Sequence, residues 1–197
     1  MSVFVKICGL RTENDVLAAA KAGADAVGFV FASSVREIAP GDARKISQAL
    51  PAHVRRVAVM QHPGNDRWQE VLRIFAPDVL QTDSEDFGEL EVPDTIETWP
   101  VYRQGGVAPE TDARYVFEGP KSGQGETVDW SQAAALAKRG CMILAGGLGV
   151  DNVAEAIDTA RPYGVDVSSG VESAPGEKSQ QLIDEFVNAV RAAEKKL

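Results

Sequence analysis

A thiol and a carboxylate each stand at the end of an apolar run in this chain. Cys8 follows the apolar segment 3–7 and precedes Gly9, and Glu118 follows Tyr115-Val-Phe117. A lone cysteine is most often a small buried apolar residue. It becomes a base or a nucleophile where neighbours stabilise its thiolate, because the free thiol has a pKa of about 8.5. Cys8 and Glu118 are therefore the first two candidates for chemistry.

Groups suited to anions follow other apolar runs. Most loop arginines are simply solvated, but Arg36, after segment 26–31, could hold a carboxylate through its bidentate fork. Glycines and hydroxyls follow the last two runs, in Ala145-Gly-Gly-Leu-Gly149 and Ser168-Ser-Gly170. Backbone N–H groups there could approach a phosphate, and a helix expected over 151–160 would point its positive end at it. The candidate phosphate-binding residues are Gly146, Gly147, Ser168, Ser169 and Gly170.

Asp129 and the two histidines have simpler explanations. Asp129 directly precedes a helical segment, so we expect it to be a helix N-cap. His53 and His62 flank the third strand with no second histidine or cysteine at ligand spacing. This spacing predicts no metal site.

Eight short apolar strands alternate with amphipathic helices along the chain. We expect strands over 3–7, 26–31, 56–60, 79–81, 100–103, 114–117, 142–145 and 165–168. Strands that alternate with helices form parallel sheets, and eight such units favour a closed barrel over an open sheet. The predicted fold is α/β, a compact (β/α)8 TIM barrel forming one catalytic domain over residues 1–197. About 200 residues is near the lower size limit of this fold.

The middle of the chain is short of helical sequence. Gly88 and Pro93 fall within 84–98, where the fourth helix belongs, and the segment 109–113 leaves little room for the fifth. We therefore expect shortened fourth and fifth helices. Active sites of such barrels lie on the loops that follow the strands, so the candidate residues should meet at one end.

The overall composition excludes several functional classes. The 197 residues carry a formal net charge of −9, whereas a nucleic-acid or membrane surface needs a basic face. Two cysteines could make at most one bridge, so the chain is not a disulfide scaffold. We find no signal segment and no apolar run of membrane length, and expect a cytoplasmic protein without nucleic-acid or membrane partners. We expect a monomer or a homodimer.

Four motifs resemble those of the phosphoribosylanthranilate isomerases, the family that catalyses the third step of tryptophan biosynthesis. They are Lys6-Ile-Cys-Gly9, Gly23-Ala-Asp-Ala-Val-Gly-Phe-Val-Phe31, Ala145-Gly-Gly-Leu148 and Gly164-Val-Asp-Val-Ser-Ser-Gly-Val-Glu172, the last followed by Pro175-Gly176. The resemblance spans the chain from the first strand to the last helix. It implies a (β/α)8 barrel that performs an Amadori rearrangement of a phosphorylated small molecule without metal or organic cofactor.

The resemblance also implies roles for individual residues. Cys8 corresponds to the general base, Glu118 to the general acid, and Arg36 to the group that holds the anthranilate carboxylate. The glycine and serine loops after strands seven and eight correspond to the phosphate site, and Asp166 is associated with substrate positioning. In the implied reaction, protonation of the ribose ring oxygen opens the aminoaldose to a Schiff base. Removal of the C2′ proton then leads to the ketose, 1-(2-carboxyphenylamino)-1-deoxyribulose 5-phosphate.

Two departures from the family pattern keep alternatives open. The family's acid is an aspartate, so Glu118 is one methylene longer, and a misplacement of about 1 Å can cost about a hundredfold in rate. Asp129 and Glu126 are the other carboxylates that could serve. The family's Gln-Leu-His-Gly after the fourth strand is here Gln81-Thr-Asp83-Ser84.

These departures support a phosphate-metabolite-binding barrel with weakened catalysis as one alternative. A related aminoaldose isomerase of histidine biosynthesis is another. The thiol argues against the second alternative, because family analogy would place an aspartate base there.

Overall fold

The computed structural model describes residues 2–107, 113–120 and 127–197. Within them, eight strands close into a barrel in chain order. They are β1 (Phe4–Cys8), β2 (Ala26–Val30), β3 (Arg55–Val59), β4 (Val79–Asp83), β5 (Glu97–Arg103), β6 (Arg114–Glu118), β7 (Cys141–Leu144) and β8 (Gly164–Val167). All neighbours pair in parallel, and β8 pairs back onto β1. The predicted TIM barrel is confirmed.

The strands are apolar on both faces because a parallel barrel is covered inside and outside. Side chains alternate between the two faces, so every second residue of a strand points into the barrel. The apolar cluster that fills the barrel interior comprises Ala26, Val57, Val79, Trp99, Val101, Val116, Ile143 and Ala145. The same alternation turns the last residues of several strands towards the mouth of the barrel, above this cluster.

Six α-helices surround the barrel in the described part of the chain. They are α1 (Glu13–Ala22), α2 (Pro40–Ile46), α3 (Asn65–Phe75), α4 (Trp130–Leu136), α5 (Val153–Ala160) and α6 (Gln180–Glu194). Their apolar faces follow helical spacing; in α6, Ile183, Phe186 and Val190 are all buried. None of the described helices is both long and apolar enough to cross a membrane.

The fourth helix position holds only a short 3-10 helix, Ser84–Gly88. This confirms the predicted shortening, which follows from the poor helix propensity of Gly88 and Pro93. The prediction of a short fifth helix falls mainly on residues 108–112, which lie outside the described residues. The predicted helix over 151–160 begins two residues late, at Val153.

A small antiparallel hairpin follows β8 and was not predicted. It consists of β9 (Glu172–Ala174) and β10 (Glu177–Lys178), joined by Pro175-Gly176. Both strands are too short to show a hydrophobic alternation. The hairpin lies over the mouth of the barrel, since a Cβ on Gly176 would lie 2.8 Å from the carbonyl oxygen of Val35, in the loop after β2.

Candidate active site

The carboxyl ends of the strands surround a cavity of about 220 Å³. Eight of the residues predicted from sequence line it: Cys8, Arg36, Glu118, Gly146, Gly147, Asp166, Ser168 and Ser169. Gly170 lines a neighbouring depression at the start of α5 instead. The closed barrel brings these residues together from the ends of five strands and the loops that follow them.

Cys8 is the last residue of β1 and is almost completely buried. Burial raises the pKa of its thiol, and the positive charge of Lys6 opposes this effect without cancelling it. Lys6 is two residues earlier on β1, so its side chain also points into the barrel, below Cys8. Its Nζ is 2.7 Å from Oδ2 of Asp166 on β8. Lys6 and Asp166 are paired residues in the β1–β8 register, which fixes this contact.

Arg36 lies across the end of β1 because Gly9 leaves room for it. A Cβ at Gly9 would lie 2.7 Å from Cδ of Arg36 and 3.2 Å from Oγ of Ser168. The Arg36 fork is engaged by Glu172 of the hairpin, with Nε 2.7 Å from Oε1 and Nη2 2.8 Å from Oε2. This pair fixes the guanidinium plane and leaves Nη1 without a partner among the described residues. Arg36 can therefore bind a further carboxylate at the cavity.

Lys178, on β10, completes this charged group. Its Nζ lies 2.6 Å from Oε1 of Glu172 and donates to the carbonyl oxygen of Ser168 at 2.9 Å. Burial would raise the pKa of Glu172, but hydrogen bonds from Arg36 and Lys178 outweigh it and lower the pKa to about 2. Glu172 is thus an anion held between two cations. It connects the hairpin to Arg36 and, through Lys178, to the loop after β8.

The glycine loop after β7 and the serine loop after β8 form the second region. Gly146 and Gly147 have φ values of 91° and 61°, which turn the chain sharply at the end of β7. Asn152 fixes the loop: its Nδ2 donates to the Gly147 carbonyl at 2.8 Å, and its Oδ1 accepts from Gly149 N–H at 2.9 Å. A helix N-terminus beside accessible backbone N–H groups is suited to a phosphate.

The two loops approach each other so closely that one position must be glycine. A Cβ at Gly170 would lie 2.0 Å from the carbonyl oxygen of Leu148. Gly149 and Gly170 form an isolated parallel bridge at the same point. The loops after β7 and β8 therefore form one continuous cradle, with Gly170 supporting it from outside the main cavity.

Glu118 ends β6 and is part of an ion-pair network across three adjacent strands. Arg103, at the end of β5, donates from Nη1 to Oε1 of Glu118 and from Nε to Oδ1 of Asp83 at 2.8 Å. Asp83 ends β4 and is nearly inaccessible to solvent. The network holds the Glu118 carboxyl against the cavity wall.

Asp129 has the capping role expected from sequence. Its Oδ1 accepts hydrogen bonds from the N–H groups of Ser131 and Gln132 at the start of α4. The Ser131 hydroxyl and these N–H groups lower the pKa of Asp129, so it stays ionised. Asp129 is not among the described residues that line the cavity. Glu126, the other alternative acid, lies outside the described residues.

His62 has acidic neighbours that its sequence context does not reveal. Its Nδ1 lies 2.9 Å from Oδ1 of Asp86, and its Nε2 lies 3.6 Å from Oδ2 of Asp83. Hydrogen bonding to Asp86 raises the pKa of His62. Asp83 also accepts from Arg103, and this cation opposes a metal ion at the same carboxylate. The group is therefore best described as the outer part of the ion-pair network.

Two buried acceptors in the cavity have no hydrogen-bond partner among the described residues. They are Oδ1 of Asp166 and Oε1 of Gln81, and both residues line the cavity. A buried acceptor without a donor is costly. These two oxygens are therefore suited to hydroxyl or N–H donors of a bound molecule.

Sequence reasoning did not select five residues of this site. They are Lys6, Asp83, Arg103, Glu172 and Lys178. For Lys6 and Arg103 the available signal was the alternation of side chains along a strand, which places each of them on the inward face. The Pro-Gly turn after Glu172 was the signal for the hairpin that carries Lys178.

Comparison with known proteins gives a consistent result. The family model described as N-(5'phosphoribosyl)anthranilate (PRA) isomerase matches residues 5–189. An N-(5'-phosphoribosyl)anthranilate isomerase of Streptococcus pneumoniae is 37% identical over 191 residues, which cover 95% of each chain. Identity at this level over nearly the full length of both chains reflects common descent.

Solved structures share the fold at similar coverage. Phosphoribosyl anthranilate isomerase from Thermus thermophilus superposes with a TM-score of 0.84 at 30% identity, covering 96% of this chain and 99% of that one. A phosphoribosyl anthranilate isomerase solved in complex with reduced 1-(o-carboxyphenylamino)-1-deoxyribulose 5-phosphate has a TM-score of 0.78 at 33% identity, with the same coverage.

Proposed function

The chain belongs to the N-(5'-phosphoribosyl)anthranilate isomerase family, and we propose that it converts N-(5'-phosphoribosyl)anthranilate to 1-(2-carboxyphenylamino)-1-deoxyribulose 5-phosphate. One observation carries the proposal. A buried thiol and a strand-end carboxyl, Cys8 and Glu118, line the same cavity as two separate anion-binding regions. The substrate has one carboxylate and one phosphate, at opposite ends of the atoms that react.

The two anionic ends of the substrate bind to different parts of the mouth. Arg36 takes the anthranilate carboxylate, because its guanidinium lines the cavity and is held by Glu172. The phosphate binds at the loops after β7 and β8, where α5 adds its positive end. The residues proposed for the phosphate are Gly146, Gly147, Ser168, Ser169 and Gly170. Anchoring both ends fixes the ribose between acid and base.

Glu118 acts as the general acid. Its carboxyl gives a proton to the ribose ring oxygen, the bond between that oxygen and C1′ breaks, and C1′ forms a protonated Schiff base with the anthranilate nitrogen. Arg103 donates to Oε1 of the same carboxyl. Arg103 then stabilises the carboxylate that remains after the transfer.

Cys8 acts as the general base. Its thiolate removes the proton from C2′, and the electron pair of that C–H bond moves towards the protonated Schiff base to give an enolamine. The enolamine then tautomerises to the ketose. Asp166 positions the sugar, because its unpartnered Oδ1 can accept a hydrogen bond from a ribose hydroxyl.

The assay that tests the proposal generates phosphoribosylanthranilate in place and follows the loss of its fluorescence after the protein is added. We expect an accelerated loss that depends on enzyme concentration and is strongly reduced by Cys8→Ser. Cys141→Ser is the matched control, because Cys141 begins β7 at the other end of the barrel. No acceleration, with binding of a reduced product analogue intact, would contradict the proposal and favour the binding-protein alternative.

The histidine-pathway aminoaldose is tested with the same protein. Its turnover should be absent or far slower than that of phosphoribosylanthranilate, because Cys8 occupies the position where family analogy places an aspartate base. Faster turnover of the histidine-pathway substrate would reverse this assignment.

We further propose that residues 1–197 form one catalytic domain that works as a monomer or a homodimer in the cytoplasm. The site residues all come from the ends of barrel strands and the loops that follow them, which supports a complete site within one barrel. Sedimentation velocity of the purified protein tests the oligomeric state, and cell fractionation tests the location. A tetramer or a membrane-bound fraction would contradict this proposal.

A further inference from the structure

Lys6 is a lysine with no exposed surface, directly below the proposed base. Lys6 and Cys8 are two positions apart on β1, so both side chains leave the strand on its inward side. The Lys6 Nζ lies 2.7 Å from Oδ2 of Asp166 on the neighbouring strand. An apolar side chain of similar volume often serves packing as well as a buried ion pair. The charge of Lys6 therefore calls for an explanation beyond packing.

Gly28 on β2 provides the space in which the two side chains meet. It is the register partner of Cys8. A Cβ at Gly28 would lie 2.9 Å from the Cys8 sulfur and 3.2 Å from Cε of Lys6. The thiol and the end of the Lys6 side chain thus border the same small volume, and the ammonium can act directly on the charge of the sulfur.

We propose that Lys6 is a positioning residue of the reaction, whose ammonium, held by Asp166, stabilises the thiolate of Cys8. Lys6 is not among the described residues that line the cavity. It therefore acts through Cys8 rather than on the substrate. The inference rests on the proposed function of Cys8 as the base.

The charges that face Cys8 come from four elements. Burial raises the pKa of Cys8; Lys6 on β1 lowers it, Asp166 on β8 raises it, and Lys178 on β10 lowers it. Arg36, in the loop after β2, also interacts with the thiolate. Burial alone would lower the pKa of Lys6, but attraction to Asp166 and to the thiolate of Cys8 outweighs it and raises the pKa, so the ammonium keeps its charge.

The test measures how the rate of Cys8 alkylation by iodoacetamide depends on pH, because the thiolate is the form that reacts. All variants carry Cys141→Ser, since Cys141 is partly exposed. Lys6→Met removes the cation. The double variant Lys6→Met with Asp166→Asn removes both charges and leaves no unpaired buried ion. It therefore keeps the test available if the single variant does not fold. Lys178→Met is the matched control, because it removes a positive charge that lowers the pKa of Cys8 less than Lys6 does.

We expect the alkylation midpoint to rise by about one pH unit or more in both Lys6 variants, which means about tenfold slower alkylation below the midpoint. The single variant should shift further, because it keeps the Asp166 anion beside the thiol. Lys178→Met should shift less than either. A double variant that is folded by circular dichroism, with a midpoint within about 0.3 unit of the parent, would overturn the inference.

Alkylation does not require turnover, so the two proposals can fail separately. If the parent has no isomerase activity but the Lys6 variants show a shifted midpoint, the proposed function is refuted and the effect of Lys6 on Cys8 is supported. If the parent is an active isomerase and the Lys6 variants show no shift, only the inference about Lys6 is refuted. In active variants, the acid limb of kcat/KM should move with the alkylation midpoint, and kcat should fall more than KM rises.

Discussion

At the scale of single residues, Glu118 is the proposed general acid, at a position where the family resemblance implies an aspartate. We expect Glu118→Gln to lower kcat by about 10² to 10⁴, because the amide cannot give the proton that a general acid supplies. KM should change little, since the two anionic ends of the substrate bind elsewhere. Steady-state fluorescence kinetics measure both constants. Turnover near that of the parent would contradict the assignment and direct attention to Glu126.

Glu118→Asp is the matched variant, because it restores the carboxyl of the family's usual acid. The shorter side chain withdraws the group from Arg103 and from the cavity, but it still carries a proton. We expect kcat between those of the parent and Glu118→Gln. A kcat as low as that of the amide would mean that position, rather than acidity, limits this step.

Arg103 is expected to position the acid, since it contacts both Glu118 and Asp83. Arg103→Met should lower kcat by about tenfold or more, because a carboxyl misplaced by about 1 Å can cost about a hundredfold. Asp83→Asn keeps the guanidinium and should lower kcat less. Kinetics of both variants test this order; a rise in KM at unchanged kcat would instead indicate direct substrate binding.

At the scale of elements, the β9–β10 hairpin depends on the ionised carboxylate of Glu172. In the folded protein the pKa of Glu172 is about 2, below its ordinary value of 4.5. Because this pKa is lower in the folded than in the unfolded chain, the ionised carboxylate stabilises the folded protein. That contribution is complete above about pH 4.5 and is lost as the pH falls towards 2. Glu172→Gln should therefore be less stable than the parent at pH 6, and the difference should narrow at pH 3.

Urea denaturation at the two pH values measures this difference in the free energy of unfolding. Glu177→Gln is the control within the same hairpin, because Glu177 is exposed. We expect its stability to follow that of the parent at both pH values. A difference for Glu172→Gln that stays constant from pH 6 to pH 3 would contradict the linkage to the Glu172 carboxylate.

The start of α4 provides an element-scale contrast to Glu118. Asp129 accepts from two N–H groups of the first helical turn, so Asp129→Ala should lower the melting temperature. Its kcat should remain close to that of the parent, because Asp129 serves the helix and is not proposed for the site. Thermal denaturation and the fluorescence assay test the two effects. A loss of turnover comparable to Glu118→Gln would make Asp129 the better candidate for the acid.

At the scale of the whole molecule, the sequence predicts contacts within a β/α unit much better than contacts across the barrel. Apolar runs and turn residues located all eight strands to within a few residues, because those signals are local. The pairing of Lys6 with Asp166 joins residues 160 positions apart and exists only once β8 closes on β1. The ion pair between Arg36 and Glu172 likewise depends on a hairpin whose strands are too short to show a hydrophobic alternation.

The amino ends of the strands, opposite the cavity, allow stability to be separated from activity. The Arg114 guanidinium lies 5.0 to 5.2 Å from the ring centres of Phe4, Trp99 and Tyr163. It also donates to Oε1 of Glu97 at 2.6 Å and to the Tyr163 hydroxyl at 2.8 Å. Residues at this end of a TIM barrel contribute to stability, whereas the other end carries the chemistry.

Arg114→Met should therefore lower the free energy of unfolding by about 2 kcal/mol or more, because it removes three cation–π contacts and the charge-assisted hydrogen bond to Glu97. Below the unfolding transition its kcat should stay within about twofold of the parent, because the site lies at the other end of the barrel. Arg114→Lys, which keeps the charge, should lose less stability. Urea denaturation and the fluorescence assay measure the two quantities. Unchanged stability, or a large fall in kcat in the folded variant, would contradict this division between the two ends of the barrel.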